Sequence, residues 1–159
     1  ISCDSIRVKT ARLGLPGTVI VALRATAAPT GGPTLRWPSG PNLASGSFDG
    51  NSVIENDTVG EWVTVKLSSP YTISAGTYYS VVMYLSSYPG GNNYGYWLLT
   101  STTYNSEYYI GLMPGTSADD WANYTYDLQF EVWGELVTQY IAIGGKVRAG
   151  LVAAKNAGW

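Results

Sequence analysis

A chain of 159 residues without a single histidine gives up most of the side-chain chemistry available near neutral pH. Ser-His-Asp and Cys-His catalysis, the commonest zinc sites and the usual general base all need an imidazole. Carboxylate chemistry remains. Asp119-Asp120 beside Trp121, or Glu55 with Asp57, could supply the acid and base of glycoside hydrolysis. Neighbouring carboxylates in Gly-Thr-Ser loops are far more often solvated turn formers, so a non-enzyme is expected. Their oxygens suit a hard cation better. Asp49, Asn51, Glu55 and Asp57, or Asp119 and Asp120, are candidate calcium ligands, although no spacing matches a dedicated calcium loop. No other cofactor is implied.

The aromatic residues offer a second chemistry. Tyr numbers 13 and Trp 6 against 2 Phe, so the rings are mostly of the amphipathic kind that sits half in water and half in a contact. Tyr88, Tyr94, Tyr96 and Trp97 flank the Gly-rich stretch Pro89-Gly90-Gly91, and Trp121 and Tyr124 belong to a later cluster. Stacked on sugar faces these rings would make a glycan-binding surface; packed on another subunit they would make an assembly interface. Trp62 and Trp133 fall where a sandwich edge or core would take them, and packing is the expected role. Cys3, the one cysteine, has no partner for an intramolecular disulfide and reads as an inert thiol. Asn56-Asp57-Thr58 and Asn123-Tyr124-Thr125 match the N-glycosylation sequon, a weak three-residue signal.

The charged fraction is 13%, about half that of ordinary soluble domains. Charge is also segregated: Arg7, Lys9, Arg12, Arg24 and Arg36 precede an acidic middle that ends at Glu131 and Glu135, and Lys146, Arg148 and Lys155 follow. Spaced cations around an acidic body attract phosphate weakly, which argues against nucleic acid as the partner. No apolar run is long enough for a membrane span. The start at Ile1 without Met reads as a processed product or a piece of a longer chain.

These residues must be positioned by strands. Ile6 and Val8 alternate with Arg7 and Lys9, and Ala11, Leu13 and Leu15 continue in the opposite phase, as a bulge would cause. After the Leu15-Pro16-Gly17 turn, Thr18 to Ala25 is β-branched and strand-like. Ala27 to Asn42, rich in Pro, Gly and Thr, reads as a long loop, from which Leu43 to Phe48 emerges as a short strand. Val63, Val65 and Leu67 alternate with Trp62, Thr64 and Lys66. Tyr78 to Leu85 is apolar on both faces and is expected to be a central strand. Strands are also predicted over Tyr94 to Thr100, Tyr108 to Met113 and Tyr126 to Trp133, the last with Leu128, Phe130 and Val132 inward. The fold expected over residues 1–134 is an all-β, jelly-roll-like antiparallel β-sandwich of about eight strands.

Residues 135–159 are expected to form a C-terminal hairpin or arm: two apolar runs joined by Gly144-Gly145. It either extends the sandwich edge or pairs with a neighbouring subunit by strand addition, through Leu136, Tyr140, Ile141, Ile143, Val147, Leu151 and Trp159.

Leu15-Pro16-Gly17, Pro41-Asn42-Leu43-Ala44-Ser45-Gly46, Trp62-Val63-Thr64-Val65, Ala75-Gly76-Thr77-Tyr78-Tyr79 and Tyr126-Asp127-Leu128-Gln129-Phe130 occur in an order that resembles jelly-roll domains of the choice-of-anchor kind. The resemblance covers roughly residues 5–134. Such domains occur in prokaryotic surface proteins and phage structural proteins and are distantly similar to carbohydrate-binding modules. The resemblance implies a fold and a non-catalytic role; its motifs mark turns and core positions and transfer no site residue.

Two functions are expected from this. One is a structural subunit of a virion or other extracellular assembly (capsid, decoration, tail or filament) whose partners are protein subunits, in a homo-oligomer or larger array. There Arg7, Lys9, Arg12, Lys146 and Arg148 could meet Asp127, Glu131 and Glu135 across subunits, with pairing inside one chain as the rival. The alternative is a carbohydrate-binding module using the loop Tyr and Trp rings.

Overall fold

The Ile6-Arg7-Val8-Lys9 alternation becomes the middle of β1 (Ser2–Leu13), with Ile6 and Val8 fully buried and Arg7 and Lys9 on the opposite, partly exposed face. The computed structural model describes residues 1–27, 37–55, 59–87, 89–91, 94–97, 99–100, 109–110, 122–123 and 127–135. The longer elements that follow are β2 (Thr18–Ala27), β3 (Trp37–Asp49), β4 (Glu61–Thr72), β5 (Tyr79–Leu85), β6 (Tyr94–Trp97) and, at the end, β11 (Phe130–Glu135). Between β6 and β11 lie four two-residue strands, β7 (Leu99–Thr100), β8 (Tyr109–Ile110), β9 (Ala122–Asn123) and β10 (Asp127–Leu128). Among the described residues no helix is long and apolar enough to cross a membrane.

The chain is an all-β sandwich of antiparallel sheets. The first sheet runs β11-β1-β4, and the second β3-β2-β5. Thr10 pairs with Glu61 on one edge of β1 and with Trp97 on the other, so β6 continues the edge that β11 leaves at Val8. Between the sheets Cys3, Ile6 and Val8 of β1 meet Val21, Ala44, Val65 and Leu67, with Val81, Met83, Phe130 and Val132 around them. Each fully buried aliphatic side chain there contributes about 1.5–3 kcal/mol. The sheets close on each other where β3 crosses β4: a Cβ on Gly46 would strike the Lys66 carbonyl oxygen and Val65 Cγ1, so only glycine fits.

Four sequence expectations change. The ladder irregularity of β1 lies at Asp4, between Cys3 and Ser5. The phase change at Thr10 and Ala11, both buried, comes where β1 exchanges β11 for β6, and Arg12 donates its N–H to the Ile54 carbonyl. The segment expected to be loop up to Asn42 is strand from Trp37: among the described residues β3 pairs with β2 alone, and Gly40 and Pro41 fall in a ladder offset. Finally, among the described residues β5 pairs with β2 alone and so stands at the edge of its sheet, with β2 central. The two apolar faces of β5 have separate causes: Val81 and Met83 face the core, while Val82 is buried on the other side, opposite Ala22.

Candidate functional site

Because β1, β4 and β11 bury one residue in two, the alternate residues make a continuous solvent face on the first sheet. Arg7 stands at its centre, opposite Glu131 on one side and Thr64 on the other. Trp62 is opposite Lys9, and Trp133 is opposite Ser5, so the two rings occupy diagonal corners. Four residues along β1 and two strand spacings across separate their backbones by about 16 Å. The side chains join across that gap. Arg7 Nη1 donates to Glu131 Oε2 at 2.9 Å, and Trp133 Nε1 donates to the same oxygen at 2.9 Å. The Arg7 guanidinium carbon lies 5.1 Å from the centroid of the Trp62 ring. Ring, cation, anion and ring thus form one connected strip, yet Trp62 keeps 38% and Trp133 48% of its surface in water.

Such a strip is preorganised. Each polar group already has a partner, so a ligand meets fixed apolar area rather than mobile side chains. Trp and Arg dominate protein-binding hot spots for this reason, and exposed indoles also stack on sugar rings. Of the expected edge or core positions for Trp62 and Trp133, the core is corrected: both stand half-exposed on the outermost strands of this sheet among the described residues. Parity carried the signal: Trp62 alternates out of phase with Val63, Val65 and Leu67, and Trp133 out of phase with Phe130 and Val132.

A second, smaller cluster lies on the outer face of the second sheet. Arg24 of β2 donates from Nε to Asn42 Oδ1 at 2.8 Å, and Asn42 Nδ2 donates to the Tyr84 hydroxyl at 2.8 Å. The guanidinium carbon of Arg24 is 5.6 Å from the Tyr84 ring centroid.

The remaining candidates fare differently. Asp49 Oδ1 accepts the Asn51 N–H at 3.0 Å and caps the single 3-10 turn Gly50–Ser52, while Asn51 Oδ1 accepts the Gly17 N–H at 2.9 Å. Glu55 lies 3.3 Å from Arg12 Nη1. Each of these oxygens is therefore tied into a turn or an ion pair, and among the described residues no three Asp, Glu, Cys or His side chains converge on a metal position. Asp57, Asp119 and Asp120 lie outside the described residues, as do Tyr88, Trp121 and Tyr124 and the arm residues Leu136, Tyr140, Ile141, Ile143, Val147, Leu151 and Trp159. Tyr94, Tyr96 and Trp97 belong to β6, in register with Leu13, Ala11 and Thr10. Of the two charge pairings left open, the one inside the chain is seen at two cations: Arg7 pairs with Glu131 and Arg12 with Glu55. Cys3 is fully buried, and its thiol is pushed up to about 11, first by desolvation and then by the nearby Asp4 charge.

No family model, curated protein or solved structure matches the chain.

Proposed function

We propose that the protein is a non-enzymatic structural subunit of a virion or other extracellular assembly and works through protein–protein contacts. The observation that carries this reading is the strip Trp62–Arg7–Glu131–Trp133, two exposed indoles fixed on a flat strand face by one ion pair. Fixed Trp and Arg side chains are the residues enriched at interface centres. The reading takes the sandwich as a jelly roll of the choice-of-anchor kind and the apolar C-terminal arm as a second contact. Copies of the same chain are the simplest partner.

Native mass spectrometry and sedimentation test it. The full chain is expected to form an oligomer, and the double variant Trp62→Ala, Trp133→Ala is expected to weaken self-association at least tenfold while keeping its β circular dichroism. A chain that stays monomeric at high protein concentration, or an oligomer indifferent to both tryptophans, sinks the assignment of this face. The same exposed rings favour glycan binding as the second reading. Titration with neutral oligosaccharides would then quench the fluorescence of Trp62 and Trp133 in the monomer.

A further inference from the structure

The second cluster does something the first does not: it holds a cation with no acid. Arg7 and Arg12 each have a carboxylate, whereas Arg24, half-buried, has none among the described residues. The surrounding side chains hold the guanidinium in one place. Tyr84 supports its flat face and Asn42 takes its Nε–H. That leaves the end of the fork, the two Nη groups that carry four of the five N–H donors, for a planar acceptor.

The backbone is built to allow this. In β3 the pairing steps from Leu23↔Ala44 to Arg24↔Asn42, so Leu43 is an extra residue in the ladder. Ala44 faces the core. Without the bulge Asn42 would share that inward phase; with it, Asn42 turns to the outer face beside Arg24. A second offset, with Gly40 at φ 68° and Pro41, follows before Ser39 pairs with Ala25. Bulges that re-aim one polar side chain onto one cation are characteristic of binding positions.

We infer that Arg24, Asn42 and Tyr84 form a receptor for a carboxylate carried on a hydroxyl-rich ligand of the uronic-acid class. The carboxylate follows from the fork geometry and from the lack of a carboxylate partner among the described residues. The hydroxyl-rich carrier follows from the register, which places Ser47 and Ser45 opposite Ile20 and Ala22 on the same face, with Ser80, whose hydroxyl donates to the Arg24 carbonyl, opposite Arg24. Serine is depleted in protein interfaces, whereas sugar hydroxyls need many small donors and acceptors. An acidic peptide is the competing occupant.

Affinity electrophoresis of the full chain in native gels containing polygalacturonate, a neutral dextran or polyglutamate decides between them. At a net charge of −2 the chain gains little from non-specific attraction to any polyanion. Retardation by polygalacturonate alone is expected. Arg24→Gln should lower the apparent affinity at least tenfold, Arg24→Lys should weaken it through loss of the fork, and Tyr84→Phe, which keeps the packing, should cost severalfold. Lys66→Gln, at an exposed cation on the other sheet, should leave it unchanged, which separates the site from general attraction of cations to a polyanion. Absence of retardation in polygalacturonate, or equal retardation of the wild type and of a Tyr84→Phe, Asn42→Ala variant with a native spectrum, overturns the site. Retardation by polyglutamate as strong as by polygalacturonate overturns the uronate assignment.

Discussion

Cys3 shows how one buried atom links pH to stability. Its thiol ionises near 9.0 in the unfolded chain and only at about 11 in the folded one, chiefly because burial penalises the thiolate. Between those values the folded state holds a proton that the unfolded state has lost, so stability is full below pH 9 and declines as pH rises toward 11. The thermal midpoint of the wild type is therefore expected to fall more steeply over this range than that of Cys3→Ala; parallel slopes would show that the thiol is not the titrating group. Gly46 is a steric counterpart. Alanine there meets the Lys66 carbonyl and Val65 Cγ1 across the closed corner of the sandwich. Neither strand can retreat without disturbing its own ladder, so Gly46→Ala should lower unfolding free energy by about 3 kcal/mol, measured from denaturant midpoints.

At the scale of elements, β1 organises the first sheet, since among the described residues it is the strand that pairs with β4, β6 and β11. The Arg7–Glu131 pair joins β1 to the last described strand, with side chains 31% and 36% exposed. Water screens such a pair, so its coupling energy should be no more than about 1 kcal/mol in a double-mutant cycle of Arg7→Ala and Glu131→Ala. Its larger role is to orient the rings. The same single variants should red-shift or broaden the tryptophan emission, because Trp133 loses its acceptor with Glu131 and Trp62 its cation with Arg7. A coupling well above 2 kcal/mol would instead make the strip a stability device.

For the whole molecule, the two sheets present unlike outer faces: an indole strip on one and an arginine with hydroxyl neighbours on the other. Opposite faces with different chemistry permit head-to-tail stacking as well as closed rings. Removing residues 136–159 separates the arm from the strip. The sandwich ladder already closes at Glu135, paired with Ser2, so the truncated chain should keep its β spectrum. If the arm exchanges between subunits, the truncated chain should also show a smaller mass in solution; an unchanged oligomer would leave the strip as the sole contact.

Alternation by itself determined the fold class, because residues such as Ile6, Val8, Val63 and Val65 can satisfy a period of two only on a strand with one buried face. It also placed Trp62 opposite in phase to its apolar neighbours, so half of the candidate site was legible as parity. Which face each parity meets was not legible, since a strand's two sides are equivalent until sheets stack. Only the tertiary structure decided that Arg7 finds Glu131 from 124 residues away, that β2 lies between β3 and β5, and that a bulge turns Asn42 outward to Arg24. Those facts depend on register between distant strands, and register is fixed by packing the whole sandwich rather than by any local run.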